Sequence, residues 1–175
     1  MSETDPIRIF CGGDRSQQLP FKVLVHSIRR HTRRVVDIRA IDNQVTAVPD
    51  DPRHAPYTEF SFARFAIPAL CQYAGRAVYM DSDMLVFADI GELWDTPLAG
   101  AKIAIEIGSR EQSDRGKHAA VMLLDCAALD WRLDDIVAGL GRRYDYKSLM
   151  GDRSAARTRA NARADPERLE RTGSL

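Results

Sequence analysis

Cysteine, lysine, net charge and long apolar runs are all scarce in this 175-residue chain, and each scarcity removes a class of protein. The three cysteines, Cys11, Cys71 and Cys126, form no CxxC pair, lie beside apolar residues and are odd in number. They read as buried, reduced thiols, which suits the cytoplasm better than a disulfide-stapled secreted domain. Lysine occurs 4 times against 21 arginines, a compositional bias, and the 25 basic residues are matched by 25 acidic ones. Zero net charge argues against a mainly electrostatic partner such as nucleic acid, while leaving a local basic patch open. No uncharged apolar run approaches the ~20 residues of a membrane span, so no transmembrane segment is expected. The start, MSETDPIRIF, lacks a basic n-region followed by a long apolar stretch, so no secretory signal is read there.

What remains is 45% hydrophobic and 29% charged, the composition of a soluble globular chain. Its length makes one domain with a sizeable core the default. The pattern then gives alternating elements. Ile7 to Cys11 is a strand ending at the turn signal Gly12-Gly13. Pro20 to Ile28 has helical spacing, and the basic run Arg29, Arg30, Arg33, Arg34 suits a helix C-terminus, with contact to a phosphate or an anionic surface as the other option. Val35 to Ile41 is a second strand, so the order β-α-β predicts a parallel sheet. Val48 to Tyr57, with three prolines, is a loop. Phe60 to Tyr73 fits a helix that Pro68 either kinks or restarts. Its single charge, Arg64, must find water for its head or a partner such as an acidic pair or a phosphate. Further strands are expected at 102–107 and 119–124, separated by a charged loop at 109–117. Asp125 is expected to start the element that follows, and Leu129 to Leu140 is an amphipathic helix capped by Gly141. Trp94 and Trp131 read as packing anchors.

The stretch with chemical character is 77–94, AVYMDSDMLVFADIGELW. An apolar run, read as a buried strand, ends in Asp81 and Asp83, and a second apolar run starts at Met84. In a strand, residues two apart share a side, so the two carboxylates aim at one point while Ser82 turns away. Two such groups repel and are costly to desolvate unless compensated, and a divalent cation is the simplest compensation. Oxygen ligands suit Mg²⁺ or Mn²⁺.

Three segments then carry a resemblance. Arg-Phe-x-Ile-Pro at 64–68 precedes Tyr-x-Asp-x-Asp-x-Leu-Val at 79–86, which is followed by Asp-Ile-x-Glu-Leu-Trp at 89–94. With IRIFCGG before them and AAVMLLDCAALDWR after them, they resemble the family-eight glycosyltransferases over residues 7 to 145. The resemblance implies an α/β GT-A fold, Rossmann-like, with a mixed, mostly parallel sheet flanked by helices. It implies transfer of a hexose, with retention, from a nucleotide-diphosphate sugar such as a UDP-sugar to an acceptor hydroxyl that the sequence does not identify. The cofactor implied is Mn²⁺ (or Mg²⁺) on Asp81 and Asp83. The donor site implied comprises Phe10, Cys11, Arg64, Asp81, Ser82 and Asp83, with Glu106 and His118 near the transferred sugar or the acceptor. No residue presents itself as nucleophile or base.

Several positions depart from the family pattern. Gly12-Gly13 stands where the family carries an acidic residue, with Asp14 one place later. No histidine follows His118, so the family's C-terminal histidine metal ligand has no counterpart. Residues 1–150 therefore read as a partial GT-A domain. The segment 151–175, with six arginines and five alanines, reads as a disordered or non-native helical tail, or as a natural basic extension. Two alternatives stay open: a truncated, inactive nucleotide-sugar-binding remnant, and a haloacid-dehalogenase-type phosphatase, whose DxDx[TV] motif is departed from here by Leu85 at its fifth position.

Overall fold

The computed structural model describes residues 5–13, 17–41, 59–105, 119–146 and 149. The proline-rich loop 48–57, Asp14, Glu106, the charged loop 109–117, His118 and the segment 151–175 lie outside the described residues.

Side-chain alternation along three central strands sets the architecture. In β1 (Ile7–Gly12), Ile7, Ile9 and Cys11 enter one apolar cluster and Phe10 enters another. In β3 (Arg76–Asp81), Val78 and Met80 join the first cluster, and Ala77 and Tyr79 the second. In β5 (Val121–Asp125), Leu123 goes to the first, Met122 and Leu124 to the second. A strand apolar on both faces must be covered on both, which is why these runs show no polar alternation.

The first face is covered by α1 (Gln18–His31) through Leu24 and Ile28, and by α4 (Ile90–Asp95) through Ile90 and Trp94. The second face takes Phe62 and Ala63 of α2 (Glu59–Ala63), Phe65 of the 3-10 turn Arg64–Ala66, and Ile67 of α3 (Ile67–Leu70). It also takes α5 (Leu133–Gly139) through Ile136 and Val137. Trp131 meets Phe65 edge-on, centroids 5.0 Å apart, so both tryptophans anchor cores, one per face.

Among the described residues, five strands form one sheet in the order β2-β1-β3-β5-β4, with β2 at Val36–Ala40 and β4 at Ile103–Ile105. β1 pairs in parallel with both β2 and β3, while β5 runs antiparallel to β3 and to β4. Four of the five strands thus point one way, as expected for a mixed, mostly parallel sheet. From β1 the chain returns through α1 to β2 on one side, and its next strand, β3, lies on the other side of β1. That reversal opens a crevice at the carboxyl ends of β1 and β3, where open α/β sheets bind ligands.

Pro68 restarts a helix rather than kinking one, because it occupies an early α3 position where no amide hydrogen bond is owed. Three boundaries depart from the sequence reading. The strand before the acidic pair stops at Asp81, and the Met84 amide bonds back to the Asp81 carbonyl at 3.2 Å, so Ser82 and Asp83 sit in a turn. Met84–Phe87 is irregular, with only Val86 buried and its amide donating to Ser27 Oγ at 3.1 Å. The last helix starts at Leu133, not Leu129, because Leu129 and Trp131 are buried two apart in extended chain while Asp130 and Arg132 face out. Gly141, at φ 76°, stands just past that helix in the left-handed region. Asp125 caps a turn instead of a helix, its Oδ1 accepting from the amides of Ala127 and Ala128. In the basic run, Arg34 Nη1 reaches both carboxylate oxygens of Asp95 at 2.9 Å, tying the end of α1 to α4.

Candidate functional site

β1 and β3 are in register at Gly12 and Asp81, so the end of one strand lies beside the end of the other at the crevice. Asp81 is two residues beyond Tyr79 and shares its side of β3, the side covered by α2, the 3-10 turn and α3. Arg64 comes from that cover and meets both.

Arg64 is 7% exposed. Its Nε donates to the Ser61 carbonyl at 3.0 Å, its Nη1 to the Ala119 carbonyl at 2.7 Å and its Nη2 to Asp81 Oδ1 at 3.2 Å. The guanidinium carbon stands 4.5 Å from the Tyr79 ring centroid, a cation–π stack away from bulk water. Of the two outcomes open to a lone arginine on an apolar segment, the structure gives the acidic partner.

The Tyr79 hydroxyl donates to the same oxygen, Asp81 Oδ1, at 2.6 Å. Burial pushes the phenol above its ordinary pKa, so it remains a donor. Asp81 is thereby gripped by one cation and one hydroxyl while its side chain stays 29% exposed. Asp83, in the turn, is exposed. Strand alternation does not reach it, so the pair is held by a turn rather than by one strand face. Ser82 is buried between them, and its hydroxyl donates to Gln17 Oε1 just before α1. The Ser82 amide donates to the Gly12 carbonyl at 2.9 Å, closing the ends of β3 and β1 together.

The two glycines follow from this crowding. A Cβ at Gly12 would overlap the Tyr79 hydroxyl, and one at Gly13 would overlap the Ser82 hydroxyl. Bare backbone at the tip of β1 therefore borders the acidic turn.

Phe10 and Cys11 lie just behind that tip, but their side chains are in the two cores, at 2% and 1% exposure. Burial pushes the Cys11 thiol up to about 12, so it stays protonated, and the Cys11 carbonyl accepts from the Ile41 amide. As they stand, only backbone at these positions borders the crevice. The structure brings Arg64, Asp81, Ser82 and Asp83 to one place with Gly12-Gly13; Glu106 and His118 lie outside the described residues. Tyr79 and Gln17 are contacts the sequence reading did not single out. For Tyr79 the signal was present, since it lies two residues before Asp81 on the same strand face. Gln17 is 65 residues from Ser82 and left no such trace.

Among the described residues, no three histidine, cysteine or carboxylate groups converge on one point as a ready-made metal cage. Two carboxylates on a turn still fit Mn²⁺ or Mg²⁺, which take oxygen ligands and keep waters or substrate phosphates in the other positions. No helix among the described residues is long and apolar enough to cross a membrane.

The sheet, its switch point and the acidic turn define a GT-A glycosyltransferase fold, and solved structures agree. GlyE of Streptococcus pneumoniae superposes with a TM-score of 0.54 at 18% identity, over 76% of this chain and 36% of that one. The galactosyltransferase LgtC, solved with donor and acceptor sugar analogs, superposes with a TM-score of 0.52 at 18% identity, over 69% of this chain and 58% of that one. At such identity these likenesses concern the fold alone. The sequence model of Glycosyl transferase family 8 matches residues 13–124, and the chain belongs to that family. It is 38% identical over 104 residues to Protein CDI of Arabidopsis thaliana, covering 54% of this chain and 38% of that protein. It is 30% identical over 110 residues to Glycosyltransferase 8 domain-containing protein 1 of Mus musculus, covering 63% of this chain and 24% of that protein. The chain thus spans well under half the length of these curated relatives.

Proposed function

We propose that this chain carries the donor-binding half of a hexosyltransferase. In this reading the crevice at the ends of β1 and β3 takes a nucleotide-diphosphate sugar, a UDP-sugar in the first instance. Asp81 and Asp83 would hold Mn²⁺ (or Mg²⁺), and the hexose would pass with retention to an acceptor hydroxyl. The observation that carries the reading is Asp81 itself. It is a carboxylate at the sheet's switch point, fixed through Oδ1 by Arg64 and Tyr79, beside a second carboxylate and a glycine turn.

When bound, the cation would supply charge to neutralise the diphosphate leaving group. The chain's own residues set its place. Arg64 and Tyr79 fix the Asp81 carboxylate before any ligand arrives, so little ordering is left to do on binding. Gly12 and Gly13 let Tyr79 and Ser82 pack directly on backbone at the β1 tip, which keeps Asp81 and the acidic turn against that strand end. Residues 1–150 would be one part of a GT-A domain, with the segment 151–175 outside it. The family supports the class of reaction, because the sequence model of Glycosyl transferase family 8 matches residues 13–124.

The test is calorimetric binding of UDP with and without Mn²⁺ to the unaltered chain and to Asp83→Asn, Asp81→Asn and the double variant. Asp83 is exposed, so its substitution leaves the fold intact and reads the ligand role directly. Expected is Mn²⁺-dependent UDP binding that weakens about 10- to 100-fold in each single variant and is lost in the double one. Equal binding by the double variant and the unaltered chain overturns the reading.

A further inference from the structure

The two aspartates of the acidic turn are reached from opposite faces of the sheet. Arg64 and Tyr79, on the second face, hold Asp81 Oδ1. Asp83 lies beyond the end of β3, past the Ser82 amide whose bond to the Gly12 carbonyl closes the two strand ends. Its place is therefore set by the ties of the turn itself, and those lead to α1.

Two such ties bracket it. On one side Ser82, 2% exposed, donates its hydroxyl to Gln17 Oε1. On the other side the Val86 amide donates to Ser27 Oγ at 3.1 Å, and that hydroxyl donates to the Leu24 carbonyl at 2.8 Å. Leu24 and Ile28 are fully buried and anchor α1 in the first-face cluster. Asp83 is thus carried between two points of attachment to one helix that is itself locked into a core.

Gln17 is the tie nearer the carboxylate, and its side chain is free of duty to its own helix. It stands at the N-cap position of α1 and makes no capping bond there. Serine, threonine, aspartate or asparagine would serve a helix start better, whereas the longer glutamine stem reaches a partner outside the helix. Gly13 fits the same arrangement, since a Cβ there would overlap the Ser82 hydroxyl and crowd Gln17 Oε1. With its amide on Gly12 and its hydroxyl on Gln17, Ser82 has both ends fixed. The peptide leading into Asp83 then keeps one plane, and the two carboxylates keep one spacing.

We infer that Gln17 is a positioning residue for Asp83, acting through Ser82 rather than by contact with cation or donor. It makes α1 the support of one carboxylate, as Arg64 makes the second-face cover the support of the other. A cation shared by the two is held only as tightly as their spacing is kept, so each face of the sheet controls one side of the site. The inference rests on the reading of the crevice as a donor site.

The experiment measures UDP binding by calorimetry, with and without Mn²⁺, and amide hydrogen exchange of the peptide spanning residues 82–84. The chains compared are the unaltered one, Gln17→Met, Gln17→Glu, Ser82→Ala and the double variant Gln17→Met with Ser82→Ala. In Gln17→Met, Mn²⁺-dependent binding should weaken about 10-fold. Exchange at 82–84 should quicken while β5 keeps its protection, which shows that the fold is intact. Gln17→Glu keeps an acceptor oxygen at the same reach and should retain Mn²⁺-dependent binding. Ser82→Ala should lose as much as Gln17→Met, and the double variant no more than either, because all three break one bond. Equal Mn²⁺-dependent binding by Gln17→Met and the unaltered chain overturns the inference, and so does an additive loss in the double variant. If the unaltered chain binds no UDP with Mn²⁺, the donor-site reading fails, and the exchange alone decides whether Gln17 holds the turn. Unchanged exchange at 82–84 in Gln17→Met overturns that role by itself.

Discussion

Replacing Arg64 by methionine is the sharpest test of how the site is built. Methionine keeps much of the stem's volume and removes the guanidinium. Three acceptors then lose the arginine's hydrogen bond at once: the Ser61 carbonyl, the Ala119 carbonyl and Asp81 Oδ1, the last keeping the Tyr79 hydroxyl. A hydrogen bond to a charged group is worth about 1.5–3 kcal/mol net, and orphaning a buried acceptor costs about 1–3 kcal/mol. Against that, the variant no longer desolvates a cation, and methionine buries well on the Tyr79 ring. Removing one partner of a fully buried pair usually costs about 3–5 kcal/mol; Asp81 is 29% exposed and keeps the Tyr79 hydroxyl, so about 2–4 kcal/mol is expected here. In a chain of this size it corresponds to a fall in Tm of roughly 10 °C. Urea unfolding at unchanged m measures it, and Arg64→Lys should recover only part, because one ammonium does not reach three acceptors in three directions. Pairing Arg64→Met with Asp81→Asn should give a coupling of about 1–3 kcal/mol, since neutralising Asp81 removes the charge that the first change strands. A single-variant loss below about 0.5 kcal/mol would refute the claim that Arg64 is the hub joining the second-face helices, β3 and the approach to β5.

Other outcomes follow from the same contacts. Gly12→Ala places a methyl on the Tyr79 hydroxyl, which Arg64 and Asp81 hold in place, so a loss of about 1–3 kcal/mol by urea unfolding is expected. Asp89→Ala removes the cap of α4 and should cost about 1 kcal/mol in the same assay. The Asp89 carboxyl lies below its ordinary pKa because it accepts from the Thr32 hydroxyl and the Gly91 amide. A group depressed in the fold stabilises it above the unfolded pKa. That contribution is therefore present at neutral pH and fades as acid titrates the folded group, so Asp89→Ala and the unaltered chain should converge in stability on acidification. Phe87→Ser, at a side chain 81% exposed, should change stability by less than about 0.5 kcal/mol.

Much of this was legible in the sequence because apolar runs announce buried strands, and the β-α-β order fixes their relative direction. Arg64 was legible as a lone charge on an apolar segment, which has to be paired. What escaped had local physics at odds with the periodic signal. The acidic pair reads as one strand face, yet the strand ends at Asp81 because the chain turns there to close on Gly12 and Gln17, both distant in sequence. Leu129 fits helical spacing with Leu133, Ile136 and Val137, but the burial of Leu129 and Trp131 follows a period of two. The Tyr73 hydroxyl binds the Trp131 carbonyl in that extended stretch. A contact from 58 residues away is invisible to any window along the chain.

The same four residues hold the fold and shape the crevice, and this has a physical consequence. Arg64 and Tyr79 are buried in the second core, and through Asp81 Oδ1 they also set the carboxylate that faces outward. Gly12 is the last residue of β1 and the place where a side chain would displace Tyr79. Changes that loosen the second-face cover must therefore loosen Asp81 as well, whether they touch the crevice or not. Trp131 offers the discriminating case, because it packs on Phe65, next in sequence to Arg64, and is far along the chain from both aspartates. Trp131→Leu should leave a cavity, lower stability by about 2–4 kcal/mol, and weaken Mn²⁺-dependent UDP binding although no ligand would touch residue 131. Stability lost with binding untouched would separate the cover from the site and break the link argued for Arg64.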